Sequence, residues 1–160
     1  MRGNPVTVTA TQVKVGDKAP DFRLVAPDLS TVTLADTKGV RAFLSVPSID
    51  TPVCDQEIRR FNAEAVSLGD VSIYSVSADL PFALNRWCGA AGIDQVKALS
   101  DHRETSFGLN YGVLIEEMRL LARAVFVVDS SDTITYVEYL TETSNHPDYD
   151  AALNAISEAR

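Results

Sequence analysis

Cysteine is scarce in this chain, with two in 160 residues. Two thiols do not make the disulfide framework of a small secreted domain, and these do not form a C-x-x-C pair. Histidine is equally rare: His102 and His146 lie far from each other and from both cysteines. That spread offers no zinc-ligand spacing. Each reads as a surface residue, His146 in an Asn-His-Pro turn and His102 in a polar stretch. Long apolar runs are missing too. None approaches the ~18 residues of a membrane span, and MRGNPVTVTATQVKVG has no continuous apolar stretch of the kind a signal peptide needs. Positive charge is in deficit, 14 Lys and Arg against 22 Asp and Glu for a net charge of -8. That balance argues against binding a phosphate backbone. No G-x-S-x-G, P-loop or G-x-G-x-x-G occurs, which leaves hydrolase, nucleotide and dinucleotide readings without support. A cytoplasmic location is the expectation, and there the two cysteines are either inert core thiols or redox-active ones.

What is present suits a packed core: 46% hydrophobic and 22% charged residues, with one domain expected over residues 1–160. The alternation in VTVTATQVKV predicts a small N-terminal hairpin ending at Gly16-Asp17, followed by short strands over 21–25 and 31–34. Val40–Val46 is a mostly apolar run, as in a strand buried on both faces. From Pro52 to Leu68, Cys54, Ile58, Phe61, Ala65 and Leu68 recur at helical spacing. A strand over 71–77, a short helix over 81–88 stopped by Gly89, a strand over 96–99 and a helix near 104–110 come next. Strands over 124–128 and 133–140, joined by a polar turn, and a closing helix over 148–158 complete the chain. The order β-α-β-α-β-α-β-β-α predicts a mixed central sheet flanked by helices, an α/β fold.

Cys54 has the most informative surroundings. Thr51 reads as a helix N-cap and Pro52 as the first helical residue, which places Cys54 in the opening turn. Unpaired backbone N–H groups and the positive end of the helix dipole favour a thiolate there, and the thiolate is the nucleophile. Cys54 also lies on the apolar stripe, where a free cysteine can be a small buried hydrophobe. Helix position alone leaves both readings open.

The wider pattern carries further. Pro47, Thr51 and Cys54 form P-x-x-x-T-x-x-C within VPSIDTPVCD; DLPFALNRWCGAAGI follows at 79–93 and LLARAVFVVD at 120–129. From Gly16 to the final helix the chain resembles the peroxiredoxins, and among them the thiol peroxidase branch, an atypical two-cysteine subclass. The resemblance implies a thioredoxin-like fold, here carrying the N-terminal hairpin as an extension; element order alone would permit other α/β folds. It implies a peroxidase acting on hydrogen peroxide and organic hydroperoxides, with Cys54 as the peroxidatic thiolate that becomes a sulfenic acid. Thr51 would hold thiolate and peroxide, Pro47 would shield the sulfur from water, and Arg123 would donate hydrogen bonds to both. Cys88 would be the resolving cysteine, closing an intramolecular disulfide with Cys54 that thioredoxin or a similar dithiol protein reduces. A homodimer is implied, and no metal, haem or flavin.

Plainer roles stand beside these. Thr51 can be an ordinary cap, Pro47 a strand terminator, Cys88 a second buried thiol and Arg123 a strand-end residue, with Arg119 its rival. Arg123→Ala is expected to slow the peroxide step with little effect on the fold. Two cysteines anchored in separate helices are expected to need local unwinding before they meet. Ala91 stands where the resemblance leads one to expect an acidic residue. A thioredoxin-type reductase is disfavoured by the missing C-x-x-C, whereas a non-enzymatic redox sensor could use the same thiolate.

Overall fold

The structure is a computed structural model and describes residues 1–9 and 11–160. In chain order its elements are β1 (Arg23–Val25), β2 (Thr31–Thr33), β3 (Val40–Ser45), α1 (Pro52–Leu68), β4 (Val71–Ser77), α2 (Pro81–Ala91) and β5 (Val96–Ser100). There follow α3 (Ser106–Asn110), β6 (Leu114–Ile115), β7 (Leu120–Leu121), β8 (Ala124–Val128), β9 (Ile134–Tyr139) and α4 (Tyr149–Glu158).

Seven strands form one sheet in the order β2-β1-β5-β4-β3-β8-β9. β3, β4 and β5 are parallel, joined through α1 and α2 as βαβ crossovers require. β8 runs antiparallel to β3 and β9 antiparallel to β8; at the other edge β1 and β2 are antiparallel as well. The mixed α/β sheet flanked by helices therefore stands as expected.

Side-chain alternation along the strands divides the core. On β3, Val40, Ala42 and Leu44 point to one face while Phe43 points to the other. On β8, Val125 and Val127 share the first face, and Ala124, Phe126 and Val128 the second. α1, α2 and α4 cover the first face with Ile58, Phe61, Leu84 and Ile156. The second face is packed with rings, Phe107 stacking on Tyr111 at 4.2 Å between centroids and Phe22 meeting Phe43 edge-on at 5.4 Å. Arg123, two residues before Val125, continues the alternation onto the α1 face, and this fixes the side from which the site is built.

Three local expectations change. No hairpin forms within the described residues of the VTVTATQVKV stretch, of which Ala10 lies outside them. It has no turn residue at its centre and instead pairs across the chain: Val8 bridges Ile115, and Thr9 N–H donates to Leu114 O at 2.7 Å. α2 does not stop at Gly89 but continues to Ala91, because a single helical glycine costs only about 1 kcal/mol. It ends at Gly92, whose φ of 67° is the left-handed conformation glycine adopts without strain. Cys88 therefore lies inside the helix rather than at its end. Finally, β6 and β7 form a two-stranded ribbon between α3 and β8 that short, uniformly apolar segments did not announce.

Candidate active site

Proline ends β3's ladder. Val46 N–H still donates to Val76 O at 3.0 Å, but Pro47, which is buried, has no N–H to continue. The chain then turns through Ser48–Asp50, and Asp79 holds that turn. Its Oδ1 accepts from Ser48 Oγ at 2.8 Å and its Oδ2 from Ile49 N at 2.9 Å. Ser77 Oγ at 2.7 Å fixes the same carboxylate from β4. The turn delivers Thr51 as the N-cap residue of α1, in extended conformation (φ -102°, ψ 142°), with Pro52 next.

The Thr51 side chain does not cap the helix. Its Oγ1 lies 2.7 Å from Cys54 Sγ and 3.0 Å from Ser48 O. A hydroxyl has one proton to give, so it donates to the sulfur when that is a thiolate and to Ser48 O when the sulfur keeps its own proton. Cys54 is fully buried on the inner face of α1's first turn.

Arg123 approaches from the head of β8 and is 1% exposed. Its Nη2 donates to Cys54 Sγ at 3.0 Å and to Thr143 O at 3.0 Å, and its Nε donates to Thr143 O at 3.0 Å. Its Nη1 donates to Glu57 Oε2. Burial works against the guanidinium's charge, but Glu57 and the Cys54 sulfur more than offset it and hold the Arg123 pKa above its ordinary value. Arg123 therefore stays cationic beside the sulfur.

Glu57 is a member of the site that the sequence pattern did not single out. It is fully buried, with Oε1 unpartnered and Oε2 on Arg123. Burial pushes its carboxyl up to about 7 despite the opposing pull of Arg123. A signal was present: Glu57 lies three residues after Cys54, on the helix face that Cys54 and Ile58 commit to the core.

Of the residues singled out from sequence, the structure brings Thr51, Cys54 and Arg123 into direct contact. Pro47 joins Thr51, Val53 and Thr143 in lining a cavity of about 270 Å³ beside them, which Thr51 reaches and Cys54 and Arg123 do not line. Arg119 is exposed, in the β6–β7 turn. His146 is exposed, hydrogen-bonded to Tyr149 Oη at 2.8 Å, and His102 is exposed too. Cys88 is half-buried, its thiol pKa raised by burial, and lines a different cavity of about 470 Å³ with Pro27, Tyr74 and Ile93. Both thiols are free. No helix among the described residues is long and apolar enough to cross a membrane.

A sulfur held by one hydroxyl and one guanidinium, with a small cavity on the other side of that hydroxyl's residue, is arranged to attack a polarised bond and to steady the negative charge that leaves. Comparison with known proteins identifies the family. The Redoxin family model matches residues 14–153. The thiol peroxidase of Halalkalibacterium halodurans is 58% identical over 159 residues, 99% of this chain and 96% of that one. The thiol peroxidase of Bacillus subtilis is 56% identical over 155 residues, 96% and 93% of the two chains. Among solved structures, a peroxiredoxin-like protein from Aquifex aeolicus superposes with a TM-score of 0.93 at 38% identity, covering 99% of this chain and 95% of the other. The chain thus belongs to the Redoxin family, and it is a thiol peroxidase of the peroxiredoxin type, an enzyme that reduces hydroperoxides with electrons from a thiol.

Proposed function

We propose that Cys54 is the peroxidatic residue, that Cys88 resolves it, and that a dithiol protein of the thioredoxin type completes the cycle. The convergence of Thr51 Oγ1 and Arg123 Nη2 on Cys54 Sγ carries this reading. The Cys54 thiolate attacks one oxygen of the hydroperoxide and the O–O bond breaks. The departing oxygen takes the electron pair and a proton and leaves as water or an alcohol, and Cys54 becomes a sulfenic acid. Arg123 and Thr51 aim donors at the region where negative charge passes from sulfur to the leaving oxygen. Pro47 contributes a wall without an N–H, which keeps water poorly anchored near the sulfur.

The Cys88 thiolate then attacks the Cys54 sulfur. An S–S bond forms, the S–O bond breaks, and the hydroxyl leaves with a proton as water. An external dithiol reduces that disulfide by two exchange steps and is itself oxidised to a disulfide. The chain acts as one thioredoxin-like domain over residues 1–160, as a homodimer, in a reducing cytoplasm that keeps both thiols in play.

The test is hydroperoxide consumption with a thioredoxin system, for hydrogen peroxide and an organic hydroperoxide. Cys54→Ser is expected to abolish all peroxide reduction. Cys88→Ser is expected to retain a single oxidation of Cys54 and lose thioredoxin-driven turnover. Full turnover by Cys88→Ser would remove Cys88 from the cycle, and one equivalent consumed without turnover by the unaltered protein would make it a sensor.

A further inference from the structure

α1 carries a second stripe one residue out of phase with its apolar one: Asp55, Arg59 and Asn62. All three reach the segment that bears Cys88. Asp55 Oδ1 accepts from Trp87 Nε1 at 3.2 Å, and Arg59 Nη1 donates to Ala91 O at 3.2 Å. Asn62 Oδ1 accepts from the backbone N–H groups of Asp94, Gln95 and Val96 at 3.2, 2.8 and 3.1 Å. The sequence separation is 32 for Asp55–Trp87, Arg59–Ala91 and Asn62–Asp94, so α1 and the Cys88 segment run parallel and in step. Arg59 Nε also donates to Asp55 Oδ2 at 2.8 Å, and its guanidinium lies 6.0 Å from the Trp87 ring. Asp55 follows Cys54 directly, and Trp87 directly precedes Cys88.

This join holds the two sulfurs over different parts of the sheet. Cys54 Sγ faces Arg123 at the head of β8, whereas Cys88 lines its cavity with Tyr74 of β4 and Val96 of β5. β4 and β5 lie two and three strand spacings from β8, about 10 to 14 Å. A disulfide needs its Cα atoms within about 7 Å. One of the two segments must therefore move, and the Asp55–Arg59–Trp87 contact is the polar link nearest both cysteines.

Resting on the disulfide cycle proposed above, we infer that Asp55, Arg59 and Trp87 form a clasp that retains the Cys88 segment, so that its opening sets how fast oxidised Cys54 is resolved. Asn62, with three backbone bonds, anchors the far end, and the segment swings about it. A tight clasp lengthens the life of the sulfenate. A second hydroperoxide can then add oxygen to that sulfur, breaking its own O–O bond and releasing water or alcohol, to leave a sulfinate outside the cycle. These are positioning residues: they touch neither peroxide nor either sulfur.

The test uses the full chain with Trp87→Phe, which keeps the ring and removes the donor, and Arg59→Ala as an independent second variant. After one equivalent of hydrogen peroxide, rapid quenching with thiol alkylation and sulfenate trapping, read by mass spectrometry, separates Cys54 oxidation from disulfide formation. Both variants are expected to oxidise Cys54 at the unaltered rate. They should close the disulfide up to about tenfold faster, the change that loss of one charge-assisted hydrogen bond produces. Under excess peroxide the sulfinate fraction should fall in proportion, which a general loss of stability would not bring about. Disulfide closure at an unchanged or slower rate in both variants overturns the clasp alone. Absence of any Cys54–Cys88 disulfide in the unaltered protein overturns the proposed cycle and the clasp with it.

Discussion

Arg123 and Glu57 are a buried pair in which the arginine also serves the sulfur, its Nη1 donating to Glu57 Oε2 while Nη2 donates to Cys54 Sγ at 3.0 Å. The carboxylate and the Thr143 carbonyl fix the plane of the guanidinium, so its fork reaches the sulfur without rearrangement. In the proposed reading, the pair and the hydroxyl that joins it on the sulfur act on both the rate of the peroxide step and the stability of the core around it.

Arg123→Gln should slow the reaction of Cys54 with peroxide by about 100- to 1,000-fold, the range for removing one preorganised donor. The structure revises the expectation that the fold is indifferent to this residue. Removing a 1% exposed cation leaves both oxygens of the buried Glu57 carboxyl without a partner, at a cost of about 1–3 kcal/mol. Adding Glu57→Gln should restore most of that stability and none of the rate. Stopped-flow kinetics with denaturant midpoints for both variants checks this, and recovery of rate in the double variant would count against Arg123's role.

Thr51→Val removes the hydroxyl 2.7 Å from Cys54 Sγ and keeps the side-chain shape. A hydrogen bond to a charged group is worth roughly 1.5–3 kcal/mol, so the peroxide step should slow by about 10- to 100-fold. Thr51→Ser should recover most of it. Because the side chain makes no cap bond, the thermal midpoint should fall only slightly in either variant. A large stability loss in Thr51→Val with an unchanged rate would assign Thr51 to the fold instead.

What sequence could and could not reveal follows from how far each signal reaches. Helix α1 was legible to the residue, because a Thr-Pro start and a regular apolar stripe are local facts. β4 and β8 were equally legible as dense β-branched runs between turn signals. The extended stretch after Val6 was not, since its partner near Leu114 is remote and alternation does not say which strand will be met. α2's end was misplaced by one glycine because Gly89 and Gly92 differ only in the φ that tertiary context imposes. Within the site, Cys54, Thr51 and Arg123 were identified through their motif segments. Glu57 was not, because a glutamate on the core-facing stripe of α1 gains a reason to be there only when Arg123 meets it in the assembled core, and Asp79 was hidden because the turn it holds at Ser48 and Ile49 lies some 30 residues away in sequence.

Glu57 should leave a mark on the pH dependence of stability. Its pKa in the folded chain, about 7, exceeds the ordinary 4.5, so the folded state holds a proton that the unfolded state releases between those values. Stability is then fully present below about 4.5 and falls as pH rises towards 7, by about 3 kcal/mol. Glu57→Gln, which cannot ionise, should flatten the decline between pH 6 and 7. Asp101, raised to about 6 by burial, acts with the same sign at lower pH, so a slope below about pH 6 should persist. Chemical denaturation at intervals from pH 5 to 8 reads both, and an identical slope in Glu57→Gln near pH 7 would refute the assignment.

Asp79 makes a different kind of contribution, because it touches none of the reacting atoms. Its carboxylate ties Ser48 and Ile49 of the turn before α1 to Ser77 at the end of β4. That turn presents Ser48 O to Thr51 Oγ1 at 3.0 Å and so fixes the hydroxyl that faces the sulfur. Asp79→Asn keeps one carbonyl acceptor but replaces the other oxygen with a donor facing the Ile49 N–H. Asp79→Ala removes both acceptors and strands that N–H in the interior. Stability should therefore drop by about 1 kcal/mol in the first and about 3 kcal/mol in the second. The peroxide step should slow in the same order, because a loosened turn spreads Thr51 over geometries in which its proton goes to Ser48 O or to water. Combining Asp79→Ala with Thr51→Val separates the two effects. Acting through Thr51, Asp79→Ala should slow the reaction much less in the Thr51→Val background than alone, whereas stability losses should still add. Fully multiplicative rate losses in that cycle would show that Asp79 acts on the sulfur's surroundings by another route.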